Sequence, residues 1–215
     1  MSQVRDIIFI VLVNCMAKKY FIKPKTKRGE ATLEKIVEAA AAVFYEKGFH
    51  DGSIADITQR AGVGNGTFYI YFDSKLSVYR HLLMEYGKRV RARSSEAIAN
   101  CTSRREAERL GLRAFFEYAL EDQSIFTIIW ESLYIDKTLF YDYYATFSKA
   151  YVRGLKEAQA EGEVRDIDPA VLSYVLMGIA NFVALNSLVL KPEQEHNVDY
   201  LVDEVMKVLE NGMFN

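Results

Sequence analysis

Residues Ala61–Lys75 read AGVGNGTFYIYFDSK, and their three glycines, four aromatics and single lysine decide the fold. Gly62-Val63-Gly64 interrupts one short apolar-periodic segment, and NGTFYIY opens another at once. Helical periodicity sorts the aromatics: Phe68 and Phe72, four apart, share one face and are expected in the core. Asn65 and Tyr69 share a second face, and Thr67 and Tyr71 a third, so these four are expected to project outward. Gly64 and Gly66 leave the helix's first backbone N–H groups open to a phosphate, where the helix dipole also favours an anion. Asp73-Ser74 reads as the cap of a following helix, whose Lys75 is placed to hold a phosphate.

Upstream, TLEKIVEAAAAVFYEKGF (Thr32–Phe49) sets Leu33, Ile36, Val37, Ala40, Val43 and Phe44 at three- and four-residue steps. Gly48 supplies the stop signal of an amphipathic helix. Ser53, followed three residues later by Asp56, forms the capping box of IADITQRA, a helix of about two turns. Two short helices joined by a tight glycine turn make a helix-turn-helix. Lys18 to Arg28 holds six basic residues and no acidic one. Lys25, Lys27 and Arg28 of this arm are expected at DNA, and Pro24 argues against a continuous helix through it. Removing the arm is expected to weaken DNA binding with little effect on thermal stability. Before it stands IIFIVLV, seven residues and too short to span a bilayer, without the flanks of a signal peptide. The sequence restarts at Met16, and residues before it are expected to lie outside the fold.

The stretch GFHDGSIADITQRAGVGNGTFYIYFDSK (Gly48–Lys75) closely resembles the DNA-binding domain of the TetR family of bacterial transcriptional regulators. The resemblance implies a three-helix head followed by a larger helical ligand-binding and dimerisation domain. It implies that Asn65 meets base edges or phosphates, that Thr67, Tyr69 and Tyr71 touch DNA, and that Lys75 grips a phosphate. It implies as well that Ser53 both caps its helix and approaches the DNA backbone. Gly64 and Asn65 stand where such proteins often open the recognition helix with a serine and a basic residue, which shifts readout toward Asn65 and Tyr69.

The expected organisation is all-α, with about nine helices: a leader and basic arm over 1–28, a helix-turn-helix domain over 29–75, and a helical ligand-binding and dimerisation bundle over 76–215. Net charge is only −2, so attraction to nucleic acid must be local. Arg80, Lys88, Arg89, Arg91 and Arg93 are expected to supplement the arm's field. Cys15 and Cys101 have no metal or disulfide spacing and suit the cytoplasm. His50, His81 and His196 are scattered, so no metal, cofactor or catalytic site is expected. Helices after Asn100 are rich in aromatics. Tyr118, Phe126, Trp130, Tyr134, Tyr144, Phe147 and Asn181 are expected to line a mainly apolar pocket for a hydrophobic or amphipathic small molecule. Ala170–Leu190 is apolar around almost its whole circumference and must be covered on several sides. The resemblance implies that the last two long helices pair with those of a second copy in a homodimer, and no membrane partner is expected. The function this predicts is a repressor released from a palindromic double-stranded DNA operator when ligand binds, through a pivot of the helix beginning at Lys75. A constitutive repressor, and less favourably an all-helical small-molecule-binding protein or enzyme, are the alternatives.

Overall fold

The computed structural model describes residues 21–190 and 197–213, the side chain of Val189 excepted. The leader, Lys18, Lys19 and His196 lie outside the described residues. Among those described there are nine α-helices and no strand: α1 Lys27–Asp51, α2 Ile54–Ala61, α3 Asn65–Tyr71, α4 Lys75–Ala97, α5 Arg104–Glu121, α6 Ser124–Ile135, α7 Lys137–Ala160, α8 Pro169–Ala184 and α9 Val198–Gly212. The chain forms two compact units, one of residues up to Glu85 with Thr127–Leu139, the other of Tyr86–Phe126 with Phe140 onward. Helices α4, α6 and α7 each contribute residues to both.

In the first unit, the apolar faces of α1, α2 and α3 meet around Ile36, Ala40, Phe44, Ile57 and Phe68, none with any exposed surface. Burial of these faces holds α2 and α3, which are too short to persist alone. The local signals are those expected. Ser53 and Asp56 complete a reciprocal capping box at α2. Gly62 takes φ 67° and ψ 34°, a left-handed turn natural to glycine, and ends α2. Gly48 has φ 75° and breaks α1's helical path, after which the Phe49 N–H donates to Glu131 Oε1 at 2.7 Å. Tyr79 is fully buried, packs edge-on to Phe44 at 5.2 Å, and donates its hydroxyl hydrogen to the Ile128 carbonyl.

The arm departs from expectation. Helix α1 starts at Lys27, with Thr26 as its cap, so Lys27 and Arg28 form its first turn rather than a loose tail. Phe21 pairs with Phe72 in an isolated antiparallel bridge, the Ile22 N–H donates to the Tyr71 carbonyl at 3.0 Å, and the Phe21 ring lies 4.5 Å from that of His81. The expectation that the arm contributes little to stability is therefore corrected, because an aromatic anchor sits beside the charges. Phe21→Ala is expected to lower stability by about 1–2 kcal/mol, the scale of a half-buried aromatic contact. An unchanged melting temperature in a thermal scan would contradict that anchor.

The second unit is a helical bundle with Phe116, Leu155, Leu188 and Met206 fully buried. Asp168 caps α8 and Pro169 opens it, as the sequence predicts. Leu185–Val189 continues α8 as a π-helical turn, closed by Leu190 N–H donating to the Leu185 carbonyl at 2.9 Å. Pro169–Leu188 has the length and apolar composition of a membrane-crossing segment. Two of its polar groups are nonetheless engaged inside the bundle: Ser173 shares a 2.8 Å hydrogen bond with Ser148, and Asn181 Oδ1 accepts from the Tyr144 hydroxyl at 3.2 Å. A polar cluster lies deeper. Arg104 donates through Nε to Glu108 Oε1 at 2.7 Å, the Tyr151 hydroxyl donates to Glu108 Oε2 at 3.4 Å, and Glu108 is only 6% exposed.

Candidate nucleic-acid interface

The interface is built on α3, whose seven residues divide by exposure. Phe68 is fully buried and Tyr71 is 7% exposed, whereas Tyr69 and Ile70 are 55% and 57% exposed. Asn65 and Gly66 are also exposed, and Thr67 is half-buried. At 100° per residue, the pairs Asn65/Tyr69 and Gly66/Ile70 form one continuous stripe on the solvent side. Asn65 and Tyr69 thus point outward as expected. Tyr71 does not: its side chain turns inward and its hydroxyl donates to the Gly29 carbonyl at 3.2 Å, pinning α3 to the first turn of α1. Helical geometry sets the limit here. Phe68 and Phe72 fix the buried face, and Tyr71, one turn on from Phe68, falls beside Phe68 on the side away from Tyr69. Ile70 is the residue that sequence reasoning missed, and its i,i+4 relation to Gly66 was the available signal.

Asn65 is not free to swing. The buried Thr58 hydroxyl donates to Asn65 Oδ1 at 2.6 Å, tying the first residue of α3 to α2. Gly64, the N-cap, offers no side-chain hydrogen bond, and added Cβ atoms at Gly64 and Gly66 would meet nothing within 4 Å. Both glycines therefore leave open approach to the helix's amino end. Ser53 is exposed, but its hydroxyl is occupied within the capping box, accepting from the Asp56 N–H and donating to Asp56 Oδ2. Hydrogen bonds from Lys47 and then Ser53 hold the Asp56 carboxyl well below the usual carboxylate range.

Lys75 is engaged within the protein. Its ammonium donates to the carbonyls of Phe49, His50 and Gly52 at 2.5, 3.1 and 2.8 Å. An ammonium has three hydrogens, and these carbonyls can take all three. Lys75 fastens the turn between α1 and α2 through its charge and lies 4.6 Å from the centre of the Phe49 ring. The exposed cations beside α3's end are those of the arm, Lys23, Lys25, Lys27 and Arg28. Lys47 and Arg60 pair with Asp56 and Glu46, each at 2.7 Å.

The residues expected around a ligand do not all share one unit. Trp130 and Tyr134 belong to the first, where Tyr134 is 84% exposed and lines no interior. Tyr118, Phe126, Tyr144, Phe147 and Asn181 belong to the second. There Phe147 stacks with Tyr143 at 5.2 Å and lies 5.1 Å from the Arg91 guanidinium. Burial pushes the Tyr144 hydroxyl up to about 12, so it serves as a neutral donor to Asn181. Burial also lowers the Arg91 guanidinium from its ordinary value. Arg91 reaches back over Gly87, where an added Cβ would stand 3.0 Å from Arg91 Nη1. Sequence reasoning treated Arg91 as part of a charged outer series.

A short helix with one face exposed, glycine-opened and braced from α1 and α2, defines a helix-turn-helix DNA-binding head. Residues 36–82 match the family model described as bacterial regulatory proteins, tetR family. Over 101 residues the chain is 29% identical to the HTH-type transcriptional activator FasR of Mycolicibacterium smegmatis, a match covering 47% of this chain and 46% of that protein. The chain thus spans about half the length of this relative. Its fold matches that of the fatty acid degradation regulator FadR from Bacillus halodurans, with a TM-score of 0.75 at 21% identity over 87% of this chain and 96% of the other. It also matches the transcriptional regulator FadR from Bacillus subtilis in complex with stearoyl-CoA, with a TM-score of 0.72 at 19% identity over 84% and 98% of the two chains.

Proposed function

We propose that the protein is a homodimeric transcriptional repressor that reads a palindromic operator through two copies of α3 and is released by a hydrophobic or amphipathic ligand. The observation that carries the DNA-binding part is the solvent stripe Asn65, Gly66, Tyr69 and Ile70 on a helix whose opposite face is fully buried. Asn65 and Tyr69 meet base edges or nearby phosphates. Gly64 and Gly66 admit the DNA backbone, and Lys25, Lys27 and Arg28 supply phosphate contacts. Ser53 and Thr67 stand at the margin. One seven-residue helix covers too few base pairs for specificity, so two heads are needed.

The dimer reading rests on the second unit. Val171, Val175 and Phe182 of α8 are each about half exposed or more, at steps of four and seven residues, and an added Cβ at Gly178 within that series would meet nothing. Tyr200 and Val208 of α9 are exposed as well. A second copy of this chain covers such faces economically, helix against helix. For the ligand, the Tyr144–Asn181 pair in an aromatic bundle offers an apolar site with orienting polar groups. The B. subtilis neighbour holds stearoyl-CoA, which makes long-chain acyl compounds the first class to test. Helix α4 runs unbroken from Lys75 to Ala97, contributes to both units, and is the element along which ligand binding reaches the head.

Selection of bound sequences from random duplex DNA tests the reading. Enrichment of a palindrome with half-sites one helical turn or more apart is expected, with release by an acyl compound on the order of 10-fold. No enriched sequence at all would remove the regulator reading.

A further inference from the structure

Ile70 has no folding reason to be where it is. It is 57% exposed on a seven-residue helix, although the same head buries Ile36, Ile57 and Phe68 completely. A β-branched apolar side chain at an exposed helical position loses rotamer freedom and gains no packing. One turn earlier on the same stripe stands Gly66, where an added Cβ would meet nothing within 4 Å, so no neighbour demands a glycine there. The stripe thus pairs a shaved position with an aliphatic one, flanked by Asn65 and Tyr69, which carry the hydrogen-bonding groups.

A major groove presents three of the bases only through hydrogen-bond donors and acceptors. Thymine alone adds an apolar group, its C5 methyl. We propose that Ile70 is a specificity-determining residue that packs on the C5 methyl of a thymine in each operator half-site, with Gly66 giving the helix the close approach this requires. This rests on the DNA-binding reading above. It assigns to the stripe an apolar readout separate from the polar readout of Asn65 and Tyr69. Ile70 packs on the methyl alone, so its contribution vanishes when the methyl is absent and the rest of the base is unchanged.

The test uses the operator recovered by selection, with each thymine replaced in turn by deoxyuridine, which removes only the methyl group. Binding of the unmodified operator by the full chain reports on the DNA-binding reading itself, and the uridine series reports on Ile70. One thymine per half-site is expected at which uridine weakens binding about fourfold, the ratio that burying one methyl-sized apolar group supplies. Ile70→Ala shortens an exposed side chain, so its melting temperature is expected to stay at the wild-type value. This variant is expected to bind the unmodified operator about as weakly as wild type binds an operator carrying uridine at that position in both half-sites, and to be indifferent to the exchange. Tight operator binding with no uridine-sensitive thymine would overturn the proposal. So would a uridine penalty that persists undiminished in Ile70→Ala.

Discussion

Lys75→Met is expected to lower stability by about 3 kcal/mol and to weaken operator binding without changing the slope of affinity against salt. The ammonium supplies three charge-assisted hydrogen bonds to the carbonyls of Phe49, His50 and Gly52, and methionine supplies none. These carbonyls follow the break at Gly48 and precede the α2 cap at Ser53, so their release loosens the entry into the helix-turn-helix. Methionine keeps most of the apolar stem, which isolates the loss of the charged head. Affinity falls because α2 and α3 are less firmly held, not because a phosphate contact is lost. Chemical denaturation gives the stability, and titrations at several salt concentrations give the slope. A slope lower by about one, with unchanged stability, would return Lys75 to the DNA backbone.

Arg104→Ala is expected to destabilise the second unit by about 3–5 kcal/mol at neutral pH, because it leaves the buried Glu108 carboxylate without its counter-charge. Burial already raises Glu108 above the ordinary carboxylate range against the opposing pull of Arg104. Between the unfolded value and that raised native value, the native state holds more protons than the unfolded chain, so stability falls as pH rises through this window. Removing Arg104 lifts the native value further and extends the window upward. The deficit of the variant relative to wild type is therefore expected to shrink on acidification from pH 8 toward pH 5. The Tyr151 hydroxyl, itself raised mainly by the charge of Glu108, remains the carboxyl's hydrogen-bonding neighbour. Urea denaturation across this range measures the effect. A deficit independent of pH would show that Arg104 acts through packing against Gly154 rather than through charge.

Much of the head was legible because its signals are local. A capping box, a glycine stop and an i,i+4 aromatic pair act within four residues, and Ser53/Asp56, Gly48 and Phe68/Phe72 stand as read. What could not be read depends on residues far apart in sequence. Tyr71 turns inward to a carbonyl 42 positions away, and Lys75 to three carbonyls 23 to 26 positions away. Both side chains are amphipathic, and periodicity alone cannot say whether the polar end meets solvent, DNA or a distant backbone group. The arm hid its anchor in the same manner: its composition advertises charge, while Phe21 supplies the contact with Phe72 and His81. Beyond the head, aromatic residues fill the long helices, so composition could not separate the exposed Tyr134 from the buried Tyr118.

The hydrogen bond between Ile22 and Tyr71 also bears on the entropy of association. Ordering one residue's backbone costs about 1–2 kcal/mol, which a dangling basic tail forfeits residue by residue when it settles on a duplex. Here the Ile22 N–H is already bonded to the Tyr71 carbonyl, and Lys27 and Arg28 already have helical backbones. The stretch from Phe21 to Arg28 is thus secured at both ends before DNA arrives. In the complex proposed above, its cations would reach the phosphates with much of that ordering complete, and the strength of their attraction would be retained as affinity instead of being consumed in arranging the chain.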